Sequence, residues 1–196
     1  MYKLIDANEL RISECELAAR LSSPIGHEPA GVEKCISELK AVSTPAFVAV
    51  RVCDVELTSL GVRIGGAEYD SSALMRVFDG CCGAVLLCAT LGFGAERLLR
   101  KYSALSASLH FLADAAADAL VEALCDRAEA EILGDEMHTA RFSPGYADLS
   151  ISCVKEILVA TDAERLLGVK LSESFLCTPS KTVTAIIGIK KEDIER

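Results

Sequence analysis

Six consecutive residues, Arg141-Phe142-Ser143-Pro144-Gly145-Tyr146, gather a guanidinium, a rigid turn and a phenol. Arg141 offers a planar fork of donors for a carboxylate, Pro144-Gly145 sets a turn whose amides can point inward, and Tyr146 adds a ring with a polar tip. The set suits capture of an amino-acid-like ligand. It equally describes an arginine-capped surface turn, and composition does not choose between them. A second constellation is acidic. Asp114, Asp118 and Glu122 recur every four residues in the alanine-rich run 109–124, so their carboxylates stack along one helix face, where like charges mildly repel. From spacing alone, a solvated acidic face is the preferred account of such a row.

Other candidate chemistry has plainer explanations. Gly92-Phe93-Gly94-Ala95-Glu96 follows an apolar run, and bare amides at a helix start attract anions. Arg97 stands where a dinucleotide fingerprint needs its third glycine, and Asp114 only approaches the ribose-binding distance. A tight strand-to-helix turn explains both glycines. There is no G-x-S-x-G elbow, and no sequence context couples His27, His110 or His138 to a nucleophile. The nine cysteines are odd in number and contain no C-x-x-C pair, so no metal site is expected. Most are expected to be small buried hydrophobes in a reducing cytoplasm, with adjacent Cys81-Cys82 the first candidates for a reactive or metal-binding pair.

At 196 residues and 51% apolar composition, with a mean hydropathy of +0.33, the chain can bury a core as one large domain or two small ones. Lys and Arg total 20 against 29 Asp and Glu, a formal charge of −9 without a basic stripe, and only ten residues are aromatic. Nucleic acid is therefore not an expected partner. The charge-free stretch 80–94 contains four glycines and falls short of the roughly 20 residues of a membrane helix. The first residues lack a signal-peptide core, so a cytoplasmic location is expected.

These residues need elements to carry them. Residues 8–22 and 32–39 have helical spacing around a breaker at 22–29. The segment 46–57 reads as β-rich with one covered face, followed by a short strand at 62–64. Ser71-Ser72 can cap a helix to about Asp79, and 84–91 is the central-strand candidate. A helix, or a pair broken near 103–106, runs from about Ala95 to Ile132. After the polar loop 139–149, a helix capped by Ser150 or Ser152 reaches about Ala160. Another covers 162–167 and stops at Gly168. Two strands around the turn 178–181 close the chain. The expected class is α+β, a twisted, mainly antiparallel sheet with packed helices to one side or around it. Residues 1–45 are expected as an N-terminal helical segment packed on a main domain, 46–196.

The arginine loop is followed about 25 residues later by Leu171-Ser172-Glu173-Ser174-Phe175-Leu176-Cys177-Thr178-Pro179-Ser180-Lys181-Thr182-Val183-Thr184. This ordered pair resembles the activation domain of cobalamin-dependent methionine synthase, whose pattern is approximately R-x-x-P-G-Y, a helical spacer, then L-T-E-S-x-x-M-x-P-x-x-S-V-S-G. The run Ala113-Asp114-Ala115-Ala116-Ala117-Asp118-Ala119-Leu120-Val121-Glu122 is similar to the family's acidic helix, so the match spans roughly 80–188.

The resemblance implies a helmet-like α+β domain that binds S-adenosylmethionine and docks over a cobalamin carried by a separate methionine synthase or related corrinoid protein. The oxidised cofactor is then reductively methylated, with flavodoxin or ferredoxin as the electron donor. Arg141 would hold the ligand carboxylate, Ser143 and Gly145 would contact it from the same turn, and Glu173 would join them from the second motif. Tyr146 would sit near the transferred methyl and the corrin edge as the catalytic position, and Asp114 and Asp118 would face the cobalamin domain. The chain has no Asp-x-His-x-x-Gly cobalamin motif, and the family's paired tyrosines have no counterpart after Thr184, so the partner is expected to complete the site. The alternative is a non-catalytic sensor or scaffold that docks on corrinoid proteins.

Overall fold

No charged residue interrupts 80–95, and most of this run becomes the central strand of the molecule. The computed structural model describes residues 1–26 and 29–191, so His27 lies outside the described residues. In chain order they form β1 (Tyr2–Leu4), a 3-10 turn (Ala7–Glu9), α1 (Glu14–Leu21), α2 (Val32–Val42), β2 (Ala46–Val52), β3 (Val55–Leu57), β4 (Gly61–Ile64), β5 (Ala67–Asp70) and α3 (Ser72–Val77). There follow β6 (Cys81–Thr90), α4 (Gly92–Leu105), α5 (Ala107–Leu133), a second 3-10 turn (Ile151–Cys153), α6 (Val154–Thr161), α7 (Ala163–Leu167), β7 (Lys170–Leu171), β8 (Cys177–Thr178) and β9 (Thr182–Lys190).

The main sheet has the order β1-β2-β6-β9, with every neighbouring pair antiparallel. Side chains alternate between faces along a strand, and here both sets are apolar. Phe47, Ala49, Val85, Leu87, Ala89 and Ile187 enter one core with α1, α2, α4 and α5. Val48, Leu86, Cys88 and Ile186 face the other way, toward residues of α3, α6, α7 and the small sheet. The expectation of one covered face is thus corrected to two. Each large aliphatic side chain so buried contributes about 1.5–3 kcal/mol.

The long helix α5 has alanines 113, 115, 116, 117, 119, 123 and 128 buried, which lets it lie close to the sheet and to α1, α2 and α4. Ser106 separates it from α4 and caps it, accepting from the Leu109 amide at 3.4 Å. The helix expected at 8–22 is shorter. Ser13 caps α1 by accepting from Glu16, while Leu10 is buried from extended backbone ahead of it. The N-terminal segment shares the main core through Leu10, Leu17, Leu21, Cys35 and Leu39.

The segment 46–57 breaks after Val52. Its second half, β3, leaves the main sheet and pairs with β4 in a three-stranded β3-β4-β5 sheet. Strand β5 was not anticipated, because Tyr69, fully buried, is its one large apolar residue. At the C-terminal end β8 pairs with β7, while β9 pairs with β6, so the strands flanking the 178–181 turn belong to different sheets. Among the described residues no helix is long and apolar enough to cross a membrane.

Candidate ligand site at the arginine loop

The arginine loop is laid alongside β9. Thr139 donates its amide to the Gly188 carbonyl and accepts the Gly188 amide on Oγ1, both at 2.9 Å. Phe142 and Ile186 exchange backbone hydrogen bonds at 2.9 and 2.8 Å, and the Phe142 ring is buried in the core that holds Ile186 and Leu149. Arg141, one residue earlier, reaches the opposite way, toward α5. The far end of the loop is tied by Asp148, which caps α3. It accepts from the Ser72 amide at 2.8 Å, the Ser72 hydroxyl at 2.7 Å, the Ala73 amide at 3.2 Å and the Ser71 hydroxyl. The bonds from Ser71 and Ser72 hold its carboxyl well below the usual carboxylate range. Sequence reading missed Asp148, since nothing in a polar loop tells which distant helix start an aspartate will cap.

Arg141 stands among three carboxylates of α5. Its Nη1 lies 2.9 Å from Asp126 and 2.7 Å from Glu129, and its Nη2 lies 2.9 Å from Glu122. These groups, with Ala140 and Ser143, line an open cleft of ≈ 390 Å³. Burial is the strongest influence on the guanidinium and acts against its charge, yet Cys125, Asp126 and Glu129 together hold its pKa above the ordinary value. Burial also pushes the Cys125 thiol well up and keeps it neutral near pH 7, so the carboxylates are the partners that matter.

The acidic row therefore extends beyond Glu122, and it is paired within the fold. Lys181, 11% exposed, places Nζ 2.8 Å from Asp114 and 2.6 Å from Asp118. Arg20 lies 3.4 Å from Asp118 and 3.9 Å from Glu122 while also binding Glu16 at 2.8 Å. Five carboxylates of α5 thus share the cations Lys181, Arg20 and Arg141. Asp114 and Asp118 still present 42% and 35% of their side chains to solvent. Lys181 belongs to the second sequence motif, and its role in pinning the 178–181 turn to α5 was not anticipated.

The other expected site residues divide. Ser143 lines the same cleft as Arg141. Gly145, at φ 87°, donates its amide to the Leu149 carbonyl at 2.8 Å, and Tyr146 donates its amide to the Ser143 carbonyl at 3.1 Å. The turn amides expected to point inward are consumed inside the loop. Tyr146 stands edge-on to Phe142, with ring centroids 5.5 Å apart, and is 69% exposed outside the cleft lining. Glu173 is exposed in the β7–β8 connection and is not brought to the Arg141 cleft.

Gly92 and Gly94 are required by packing. A Cβ on Gly92 would lie 2.2 Å from Thr44 Oγ1, and one on Gly94 would lie 1.7 Å from the Val42 carbonyl oxygen. All nine cysteines are free. Cys35, Cys88, Cys125 and Cys153 are buried, whereas Cys15, Cys53 and Cys82 are exposed, so fewer serve as core residues than composition suggests. Among the described residues no three His, Cys, Asp or Glu side chains gather to hold a metal. His138 bonds the Thr139 carbonyl through Nδ1, and His110 Nδ1 is buried without a hydrogen-bond partner.

Sheet, helices and stitched loop together define an α+β domain with a mainly antiparallel sheet covered on both faces. No model of a known protein family matches the chain, and no curated protein matches it by sequence. Among solved structures, its fold is similar to that of the MetH reactivation domain bound to AdoHcy, with a TM-score of 0.76 over 100% of this chain and 80% of that one. Sequence identity across the match is 13%, so the likeness establishes the fold.

Proposed function

We propose that the chain binds S-adenosylmethionine in the Arg141 cleft and serves as an activation protein for a cobalamin carried by another protein, a methionine synthase or related corrinoid protein. The observation that carries this reading is the Arg141 fork standing in an open cleft among three carboxylates. S-adenosylmethionine brings a carboxylate, an ammonium and a sulfonium. A cleft with one guanidinium and three carboxylates complements all three. The most exposed partner of Arg141 is Asp126, at 67%, against 29% for Glu122 and 17% for Glu129. The ligand carboxylate displaces Asp126, which turns to the ligand ammonium, so the exchange conserves ion pairs. The fold's likeness to the MetH reactivation domain bound to AdoHcy supports an adenosyl ligand of this class.

A cobalamin held by the partner and reduced by an electron donor such as flavodoxin or ferredoxin would supply the nucleophile for the sulfonium methyl, with S-adenosylhomocysteine as the leaving product. This chain contributes position. Arg141, Glu122 and Glu129 fix the amino-acid end of the ligand, and Ser143 borders it. Tyr146, with its phenol exposed, faces the partner at the rim, while the solvent-facing edges of Asp114 and Asp118 dock on the cobalamin domain. Glu173 is not among the residues that line this cleft. Calorimetric titration with S-adenosylmethionine is the test: saturable binding to the wild type and none to Arg141→Ala. Absence of binding to the wild type, alone and with a cobalamin-loaded partner, sinks the reading.

A second reading is favoured by the full complement of ion pairs already on Arg141 and by the closed turn amides. On it the chain is a docking module that carries no methyl donor. Recovery of methylation from cob(II)alamin separates the two. Wild type restoring activity while Arg141→Ala does not supports the donor site; both proteins binding the partner without restoring activity supports the docking module.

A further inference from the structure

A second cleft, of ≈ 500 Å³, opens at the end of the main sheet where β2 stops and β6 starts, and two of the three exposed thiols line it. Cys53 follows the last residue of β2, and Cys82 is the second residue of β6. The β2–β6 register ends with Val52 opposite Ala84, so one further step places Cys53 opposite Gly83, beside Cys82. Neighbouring strands with paired Cα atoms about 4.5–5.5 Å apart and a rise of about 3.3 Å put such a diagonal pair at about 6 Å, inside the window for a disulfide.

Two details favour closure. The register of β6 against β9 slips between Cys81 and Gly83, and at such an irregularity the strict alternation of side chains lapses, which frees Cys82 from the face its number alone would assign. At Gly83 a Cβ would lie 3.2 Å from the Val52 carbonyl oxygen, so the two backbones are in contact next to the thiols. Arg51, Lys190 and Lys191 line the cleft against one carboxylate, Glu136. The Arg51 guanidinium holds Glu136 at 2.8 and 2.7 Å and lines the same cleft as the two thiols.

We propose that Cys53 and Cys82 form a redox-active dithiol that reacts with small anionic disulfides of the glutathione class. The Cys53 thiolate attacks one sulfur of the small disulfide, forming a mixed disulfide and releasing one small thiolate. The Cys82 thiolate then attacks the Cys53 sulfur and releases the second. The cysteine pair loses two electrons and two protons, and the small disulfide becomes two thiols. The new bond lies at the neck of an excursion: the chain leaves the main sheet after Val52 and re-enters it at Cys81, each next to one of these two cysteines, and β3, β4, β5 and α3 lie between. Oxidation therefore staples a whole subassembly at its base.

The experiment treats the full chain with excess oxidised glutathione and maps disulfides in its tryptic peptides by mass spectrometry. The expected product is an internal Cys53–Cys82 link, with Cys82→Ser trapped as the Cys53–glutathione adduct. Oxidised wild type should melt about 5 °C or more above its reduced form, with slower amide exchange across 54–81. Cys53→Ser should show neither change. Both thiols are exposed, so these variants leave the core intact. Glutathione adducts without a link, a Cys81–Cys82 or Cys53–Cys81 bond in place of the expected one, or unreacted thiols would each overturn the proposal. None of these outcomes bears on S-adenosylmethionine binding.

Discussion

Replacing Arg141 with alanine removes the cation that Glu122, Asp126 and Glu129 share, and its cost can be worked from their exposure. Asp126, at 67%, is well solvated and contributes least; Glu122 and Glu129, at 29% and 17%, depend more on the guanidinium. Partly exposed pairs are worth roughly 0.3–1 kcal/mol each, and three carboxylates left together add repulsion, so the sum is about 2 kcal/mol. For a chain of 196 residues this lowers the melting midpoint by about 4–8 °C. Part of the loss should return in 1 M salt, where the screening length shrinks to about 3 Å. Glu129→Gln should cost more than Asp126→Asn. Differential scanning calorimetry of the three variants measures all of this. An Arg141→Ala protein that melts within 1 °C of wild type, or a reversed order for the two carboxamides, would refute the reasoning.

The remaining predictions concern what positions the site. Gly94→Ala drives a Cβ into the Val42 carbonyl and should destabilise the protein by about 3 kcal/mol or more in urea denaturation, because the obstacle is backbone that cannot rotate away. The Asp148 carboxyl titrates below its unfolded value, so its cap on α3 stabilises the fold above that value and is lost as pH falls through the lower folded one. Asp148→Asn should flatten that part of an acid unfolding curve followed by circular dichroism. Tyr102 donates to Glu38 at 2.6 Å, a bond that with burial pushes its pKa up to about 12. Its contribution is present below the unfolded value of about 10 and vanishes as pH rises through about 12, and Tyr102→Phe should remove that component from an alkaline unfolding titration.

Elements with a local signature were legible in the chain. Ser106 divides α4 from α5 inside the window where a break was expected, because a serine cap acts over three residues. The central strand and the stop at Gly168 were legible for similar reasons, the one from unbroken apolarity and the other from a left-handed glycine at a helix end. What escaped was non-local. That β2 would be covered on both faces depends on helices more than 100 residues away in sequence. Strand β5 offers one large apolar side chain to any pattern, Tyr69.

The site divides in the same way. Arg141 and the row Asp114, Asp118 and Glu122 stood out by residue type and spacing, but separately. Their neutralisation by Arg141, Arg20 and Lys181 is set by packing of the loop, α1 and the 178–181 turn on α5. Spacing along a helix cannot tell a docking face from an internal ion network. Both descriptions share the same carboxylates, and here the network claims the inner edges while the outer edges remain in solvent.

The most direct test of the central claim is calorimetric titration of S-adenosylmethionine into the wild-type chain and into Arg141→Ala, alone and with a cobalamin-loaded partner. Saturable one-site binding by wild type, abolished by the substitution, is the predicted result. Equal binding by both proteins, or none by wild type in either setting, would contradict the assignment of the Arg141 cleft as the ligand site.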